Sequence, residues 1–377
     1  MVRAPRRGRP VCGGRGRADR RGDRRDPLDR AGNDVSPGRA RAPHAPPEDR
    51  LPLCLCLQPA GHRPGGPRRE RRLPSPGPFG LGGLPDRGGM IMTASVPADA
   101  YPTRGAREAA VPRRDPVVWS APGAPGPATA AELLAYERDG FLPVADMISD
   151  AEVALYRSEL ERLVADPAVR ADERAIVEPN SREVRSIFEV HRISEVFAAL
   201  VRDERVVGRA RQILGSDVYV HQSRINVKPG FGASGFYWHS DFETWHAEDG
   251  LPGMRAVSVS IALTENHDTN GGLMIMPGSH RTFLGCAGAT PEENYRTSLR
   301  MQQVGTPSDA ALTRLADAHG IRLLTGRAGS ATWFDCNCMH GSGDNITPFP
   351  RSNVFIVFNS VENAAVGPYA APAPRPE

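Results

Sequence analysis

No apolar run in the chain approaches the roughly 20 residues a membrane-crossing helix needs, so no transmembrane segment is expected. The most apolar stretch near the start, Leu51 to Leu57, is too short for a secretion leader and is interrupted by Pro52. Cysteine is scarce, with 6 in 377 residues. Cys336 and Cys338 stand two apart, but no second pair completes a zinc site. Placed in a strand, the two would share a face as reduced, packed thiols, which fits the reducing cytoplasm. Residues 1–89 contain no lysine and one aromatic, Phe79. They offer no stacking platform for single-stranded nucleic acid, and no zinc-finger or helix-turn-helix pattern accompanies them. No nucleic-acid or membrane partner is expected, although an arm for nucleic acid or anionic lipid is the functional alternative for this segment.

What residues 1–89 do contain is 20 Arg, 16 Gly and 15 Pro against 9 acidic residues, a net charge of +11. The whole chain carries +3, so residues 90–377 carry −8. A segment so poor in apolar side chains cannot offset its ordering entropy, and disorder is expected. Arg, Gly, Pro and Ala without Lys is also the residue mix that out-of-frame reading of GC-rich DNA gives. The expected true start is Met90 or Met92. Residues 90–128 read as a linker or extended arm, 129–367 as the folded domain, and 368–377 as a disordered tail.

Within the domain, helical signals come first. Thr129 with Glu132 and Ser149 with Glu152 form capping boxes. Val153, Tyr156, Leu160 and Leu163 recur at helical spacing, and Ser194 to Leu214 predicts one or two helices closed by Gly215. Strand signals follow at Val218–Val227, Ala256–Leu263, Gly272–Met276, Gly329–Phe334 and Asn353–Phe358, with a helical insertion over 308–320. Many short strands between turn residues predict a mainly β domain with flanking helices, built on a sandwich or jelly roll.

Chemistry concentrates in Phe236-Tyr237-Trp238-His239-Ser240-Asp241-Phe242-Glu243-Thr244-Trp245-His246. His239 and Asp241, two apart in an extended segment, would point to one face. His340 would arrive from another strand. Two imidazoles and one carboxylate leave the opposite face of a metal open, the facial arrangement of non-haem Fe(II) oxygenases. Arg351 follows His340 by eleven residues and offers a planar fork for a carboxylate, as the far end of 2-oxoglutarate would require. Ser342 and Ser258 could add hydroxyl donors. His246 reads as structural, His221, His267 and His280 as non-ligands, and Glu243, Glu248 and Asp249 as a solvated or loop-ordering acidic cluster.

Taken together, residues 129–367 resemble the ectoine hydroxylases, a branch of the phytanoyl-CoA dioxygenase-like superfamily. The resemblance rests on Gln222 to Phe231, Phe236 to His246 with Glu248-Asp249-Gly250, Asn270 to His280, Phe334 to Ser342, and Asn345 to Phe355. It implies a double-stranded β-helix (jelly-roll, cupin-like) core, Fe(II), and 2-oxoglutarate and O2 as co-substrates. It further implies hydroxylation of ectoine to 5-hydroxyectoine by a homodimer. Carried over, His239, Asp241 and His340 would hold iron. Arg351, Ser258, Ser342, Gln222 and Phe236 would surround 2-oxoglutarate, and Trp245, Thr244 and Asn353 would contact ectoine. Competing readings are a hydroxylase of another small amino-acid-like molecule, a zinc hydrolase using the same three ligands, and a non-catalytic β-barrel binding module or a nucleic-acid-binding protein using the Arg-rich head.

Overall fold

A computed structural model describes residues 99–178, 182–298 and 304–375, all within the unit Gly88–Glu377. The head 1–89, with its expected disorder and displaced start, lies outside the described residues.

The strands run in chain order β1 (Ala109–Pro112), β2 (Phe141–Val144), β3 (Ala175–Val177), β4 (Val184–Phe188), β5 (Val218–Lys228), β6 (Phe236–His239), β7 (Ala256–Ala262), β8 (Leu273–Ile275), β9 (Thr282–Gly285), β10 (Arg322–Leu324), β11 (Ala331–Asp335), β12 (His340–Ser342) and β13 (Arg351–Ser360). A seven-stranded sheet has the order β2-β11-β7-β13-β5-β4-β3, and a four-stranded sheet the order β10-β8-β12-β6. Phe141, Phe334 and Phe355 of the larger sheet form one buried cluster with Leu273, Ile275 and Leu324 of the smaller, so the sheets face each other. This is the double-stranded β-helix.

Alternation along the strands divides the larger sheet into two chemistries. On one face Val354, Ile356 and Phe358 of β13 join Val257, Val259, Ile261, Trp333, Ile225 and Ile187. Helices Ala130–Asp139, Asp150–Ala165, Glu195–Arg202 and Glu204–Leu214 cover that face with Tyr136, Leu160, Leu163, Phe197, Leu200 and Ile213. Each such side chain contributes about 1.5–3 kcal/mol on burial. The opposite face turns toward the smaller sheet and mixes the rings of Phe141, Phe334 and Phe355 with polar side chains. Arg351 and Asn353 of β13 stand opposite Lys228 and Asn226 of β5, and Ser258 and Ser260 of β7 stand opposite Val357 and Phe355. The apolar face holds the domain together, which leaves the inner face free to carry chemistry.

Both capping boxes are present at Thr129 and Ser149. The region 194–214 resolves into two helices, because the Asp203 side chain accepts from Arg205 N and starts a second one. Gly140 adopts φ 79° where the first helix ends, and a Cβ there would collide with His280 and Cys338.

Three expectations change. Residues 99–128 pack as an arm: β1 pairs antiparallel with β9, Tyr101 is buried against Phe242 and Phe283, and Arg113 Nη1 reaches Asp335 Oδ1 at 2.8 Å. Residues 368–375 of the expected disordered tail are also packed. Tyr369 stacks on His246 at 4.1 Å, and Arg375 Nε donates to Asp249 Oδ1 at 2.6 Å. Cys336 and Cys338, buried and free, occupy the turn between β11 and β12 instead of a strand, with Cys338 Sγ donating to Gly140 O.

Candidate metal centre and its two flanks

His340 opens β12 directly opposite His239, the last residue of β6. Two residues later Ser342 stands opposite Phe236, three residues back, so β6 carries one extra residue. Such a bulge re-aims the side chains beside it. Ser240 continues extended (φ −106°, ψ 128°), but Asp241 begins a helical turn, Asp241–Thr244, in place of the extended geometry expected. Phe242 N donates to Cys336 O and Ser240 Oγ to Asn337 Oδ1, which ties this turn to the loop that delivers His340.

The result brings three ligand atoms, one from each of His239, Asp241 and His340, within 4.8 Å of one another. His239 Nε2 is 3.6 Å and His340 Nε2 4.0 Å from Asp241 Oδ1. His239 Nδ1 lies 2.7 Å from Tyr237 O and His340 Nδ1 3.0 Å from Cys338 O. With Nδ1–H donating to a carbonyl, each Nε2 keeps its lone pair for a metal. Burial, with help from His239, pushes the His340 imidazole down to about 4 against the opposing pull of Asp241, so the ring is neutral near pH 7. Burial alone would raise the Asp241 carboxyl, but His340, His239 and Arg224 outweigh it and hold it well below the usual range. Two imidazoles, one carboxylate and an open side fit Fe(II).

On one flank Arg351 lies buried, and its Nε and Nη1 have no hydrogen-bond partner among the described residues. Burial lowers its pKa to about 10. A buried guanidinium without an anion is costly, and a ligand carboxylate would relieve it. Beside it, Lys228 Nζ donates to Ser342 Oγ at 2.8 Å and Gly343 O at 2.6 Å. Phe236 N also approaches Ser342 Oγ, at 3.3 Å, and the Phe236 ring lies under the Arg185 guanidinium at 4.6 Å. Sequence reasoning passed over Lys228. The available signal was its rarity, since it is the single lysine among 47 Lys and Arg residues.

Register separates the remaining expected contacts. Ser258 and Gln222, placed beside 2-oxoglutarate by resemblance, both pair with Val357, six residues along β13 from Arg351. At about 3.3 Å per residue that is roughly 20 Å. Ser258 Oγ donates to Asp241 Oδ2 at 3.4 Å, and Gln222 Oε1 accepts from Arg224 Nη1 at 3.1 Å. Both belong to the Asp241 flank. Asn353, placed with ectoine, lies only two residues from Arg351; its Nδ2 donates to Ser260 Oγ, and its Oδ1 is buried without a partner among the described residues. Trp245 is buried with Phe242, Leu251, Met254 and Val357 and meets His221 edge-on at 5.2 Å. Thr244 Oγ1 lies 3.5 Å from Glu243 Oε2. His246 has both ring nitrogens engaged, with Leu251 O and Asp99 Oδ1, and does not ligate. Glu243 and Glu248 are not solvated: Arg104 of the arm pairs with both, at 2.6 Å and 3.1 Å.

Residues 136–353 match the phytanoyl-CoA dioxygenase family, and the chain belongs to that family. Fold, family and the His-Asp-His cluster together define an Fe(II)- and 2-oxoglutarate-dependent dioxygenase. Within the family, the chain is 80% identical over 279 residues to the ectoine dioxygenase of Streptomyces avermitilis, covering 74% of this chain and 95% of that one. It is 52% identical over 296 residues to the ectoine dioxygenase of Halomonas elongata, covering 78% and 89%. The crystal structure of EctD from S. alaskensis with 2-oxoglutarate and 5-hydroxyectoine superposes with a TM-score of 0.67 at 46% identity, covering 74% and 93%. The Fe-bound structure of that protein gives 0.66 at 46% identity, covering 73% and 92%. Among the described residues, no helix is long and apolar enough to cross a membrane.

Proposed function

We propose that this chain hydroxylates ectoine to 5-hydroxyectoine. One C–H bond becomes C–OH, one atom of O2 enters the product, and the other enters succinate as 2-oxoglutarate loses CO2. The observation that carries the reading is the combination of three convergent ligands with a buried, unpartnered Arg351 on one flank, in a chain 80% identical to an ectoine dioxygenase. His239, Asp241 and His340 hold the iron. Iron, with 2-oxoglutarate and O2, supplies the oxidising power.

The chain's own groups supply position. Arg351 takes the far carboxylate of 2-oxoglutarate in a two-pronged grip, with Lys228, Ser342, Asn353 and Phe236 around it. Ser342 Oγ already faces two N–H donors, so its own hydrogen is left to donate toward that carboxylate. Gln222, Arg224, Thr244 and Trp245 stand on the substrate flank and set which C–H bond meets the metal. Ser258 steadies Asp241. The same reading includes a homodimer, on the resemblance alone, and a cytoplasmic location, supported by the buried free thiols of Cys286, Cys336 and Cys338.

The test is anaerobic loading with Fe(II), then addition of 2-oxoglutarate, O2 and ectoine with mass spectrometry. One oxygen gained per succinate released is the expected result. Succinate formation that ignores ectoine would remove ectoine as substrate while keeping the reaction class.

A further inference from the structure

The turn that starts at Asp241 ends in a π-helical stretch, Trp245–Asp249, capped by Gly250 at φ 83°. The segment 366–375 is bound along it. Val366 N donates to Gly250 O and Ala370 N to Ala247 O, while Thr290 Oγ1 donates to Ala370 O at 2.6 Å. A Cβ at Gly250 would collide with the backbone of Gly367, so the two segments touch main chain to main chain.

Arg375 closes this path. Its Nε and Nη2 grip both oxygens of the half-buried Asp249 carboxylate. Asp249 Oδ2 also lies 3.0 Å from His221 Nε2. His221 is the bulged residue of β5, between Val220 opposite Phe358 and Gln222 opposite Val357. Its ring rests edge-on against Trp245 at 5.2 Å. The charge of Arg375 is felt at Arg224 and at Asp241 itself. A guanidinium from outside the barrel strands thus reaches the substrate flank through the polar contacts Arg375–Asp249–His221 and the ring contact of His221 with Trp245.

We propose that Arg375 is a substrate-positioning residue: by gripping Asp249 it fixes the His221 imidazole against Trp245, and the segment 366–375 forms the outer wall of the substrate flank. This rests on the ectoine reading. Half-buried, Asp249 favours a cation beside it. Without Arg375 it turns toward His221 or toward the cationic part of a zwitterionic substrate, and Trp245 and Gln222 lose their fixed neighbour. The Arg351 flank is untouched, so the effect falls on one substrate only.

The experiment compares the full chain with Arg375→Gln, Arg375→Lys and Asp249→Asn. It measures kcat, KM for ectoine, KM for 2-oxoglutarate, hydroxylated product per succinate, and Tm. Arg375→Gln is expected to raise KM for ectoine about tenfold and lower product per succinate, with KM for 2-oxoglutarate changed less than about twofold. Arg375→Lys, which keeps the charge but loses the fork, should recover part of the loss. An equal rise in both KM values with a fall in Tm would make Arg375 a general staple and overturn the proposal. So would unchanged ectoine KM and coupling in folded Arg375→Gln protein. A wild-type chain that makes no hydroxylated ectoine would remove the reading itself and this inference with it, a result distinct from either of those.

Discussion

At the Arg351 flank, the cations come from neighbouring strands of the larger sheet: Arg351 from β13 and Lys228 from β5, in register. Two guanidinium nitrogens of Arg351 are left without partners among the described residues. At the Asp241 flank the acidic cluster is already paired with groups from outside the barrel. Arg104 of the arm pairs with both Glu243 and Glu248, and Arg375 pairs with Asp249. The contrast separates two binding strategies. A buried guanidinium with two nitrogens unpartnered among the described residues, beside a second basic group, favours an anionic ligand. A wall whose carboxylates are already paired keeps Arg224 as a half-buried cation and otherwise selects by shape and by a few oriented polar groups. The first suits a co-substrate shared across a family, and the second suits the substrate that distinguishes one member from another.

The largest expected effect sits between the flanks, where the comparison has its fixed point. Asp241→Ala should abolish tight Fe(II) binding and reduce turnover by about three orders of magnitude, beyond the 10–100-fold typical of groups one shell out. Anaerobic metal titration and circular dichroism check it, since the fold should survive. Arg351→Leu comes next. Losing a charged two-pronged contact should raise KM for 2-oxoglutarate by about 100-fold while leaving KM for ectoine nearly unchanged. Because Arg351 is a buried cation without an anion, its removal should not lower the Tm of the unliganded protein; a clear fall would show that it is satisfied within the fold. Smaller still, Gln222→Ala and Asn353→Ala should separate cleanly. Gln222→Ala should raise KM for ectoine and Asn353→Ala KM for 2-oxoglutarate, each by about tenfold. The reverse pattern would exchange the two flanks.

How much of this is legible from sequence follows from the range of the interactions involved. Capping boxes at Thr129 and Ser149 are local, and so is the alternation of β7 and β13, which exposes the sheet directly. The triad was readable because ligand chemistry restricts residue type so strongly that three positions stand out. The position of Ser258, Gln222 and Asn353 relative to Arg351 was not, because that depends on which residues pair across β5, β7 and β13, and pairing is a long-range property. The helical turn at Asp241 was hidden for a similar reason: its first residue is held by Phe242 N donating to Cys336 O, almost a hundred residues away. Segment 99–128 read only as a linker or extended arm, and 368–375 as a tail, because Pro, Ala and Gly carry no periodicity. They are held instead by a few residues that composition dilutes, namely Tyr101, Arg104, Arg113, Tyr369 and Arg375.

Lys228 offers the finest test of the comparison, because it is a cation whose charge can be switched by pH while that of Arg351 cannot. Burial first, then Arg351 and Arg185, lower its pKa from 10.5 to about 7. Below about pH 7 the amine is charged in both folded and unfolded chains. Between that value and its ordinary one, the unfolded chain binds a proton that the fold does not, so the contribution of Lys228 to stability rises with pH across this window. Binding has the opposite sign. A ligand carboxylate favours the charged amine, so affinity for 2-oxoglutarate is fully present below about pH 7 and weakens as the proton is lost. KM for 2-oxoglutarate should rise several-fold between about pH 7 and 8 in the wild-type chain and stay flat in Lys228→Met, with KM for ectoine indifferent in both. Wild-type and Lys228→Met profiles that run parallel would mean that Lys228 only braces Ser342 and Gly343, and that Arg351 alone meets the carboxylate.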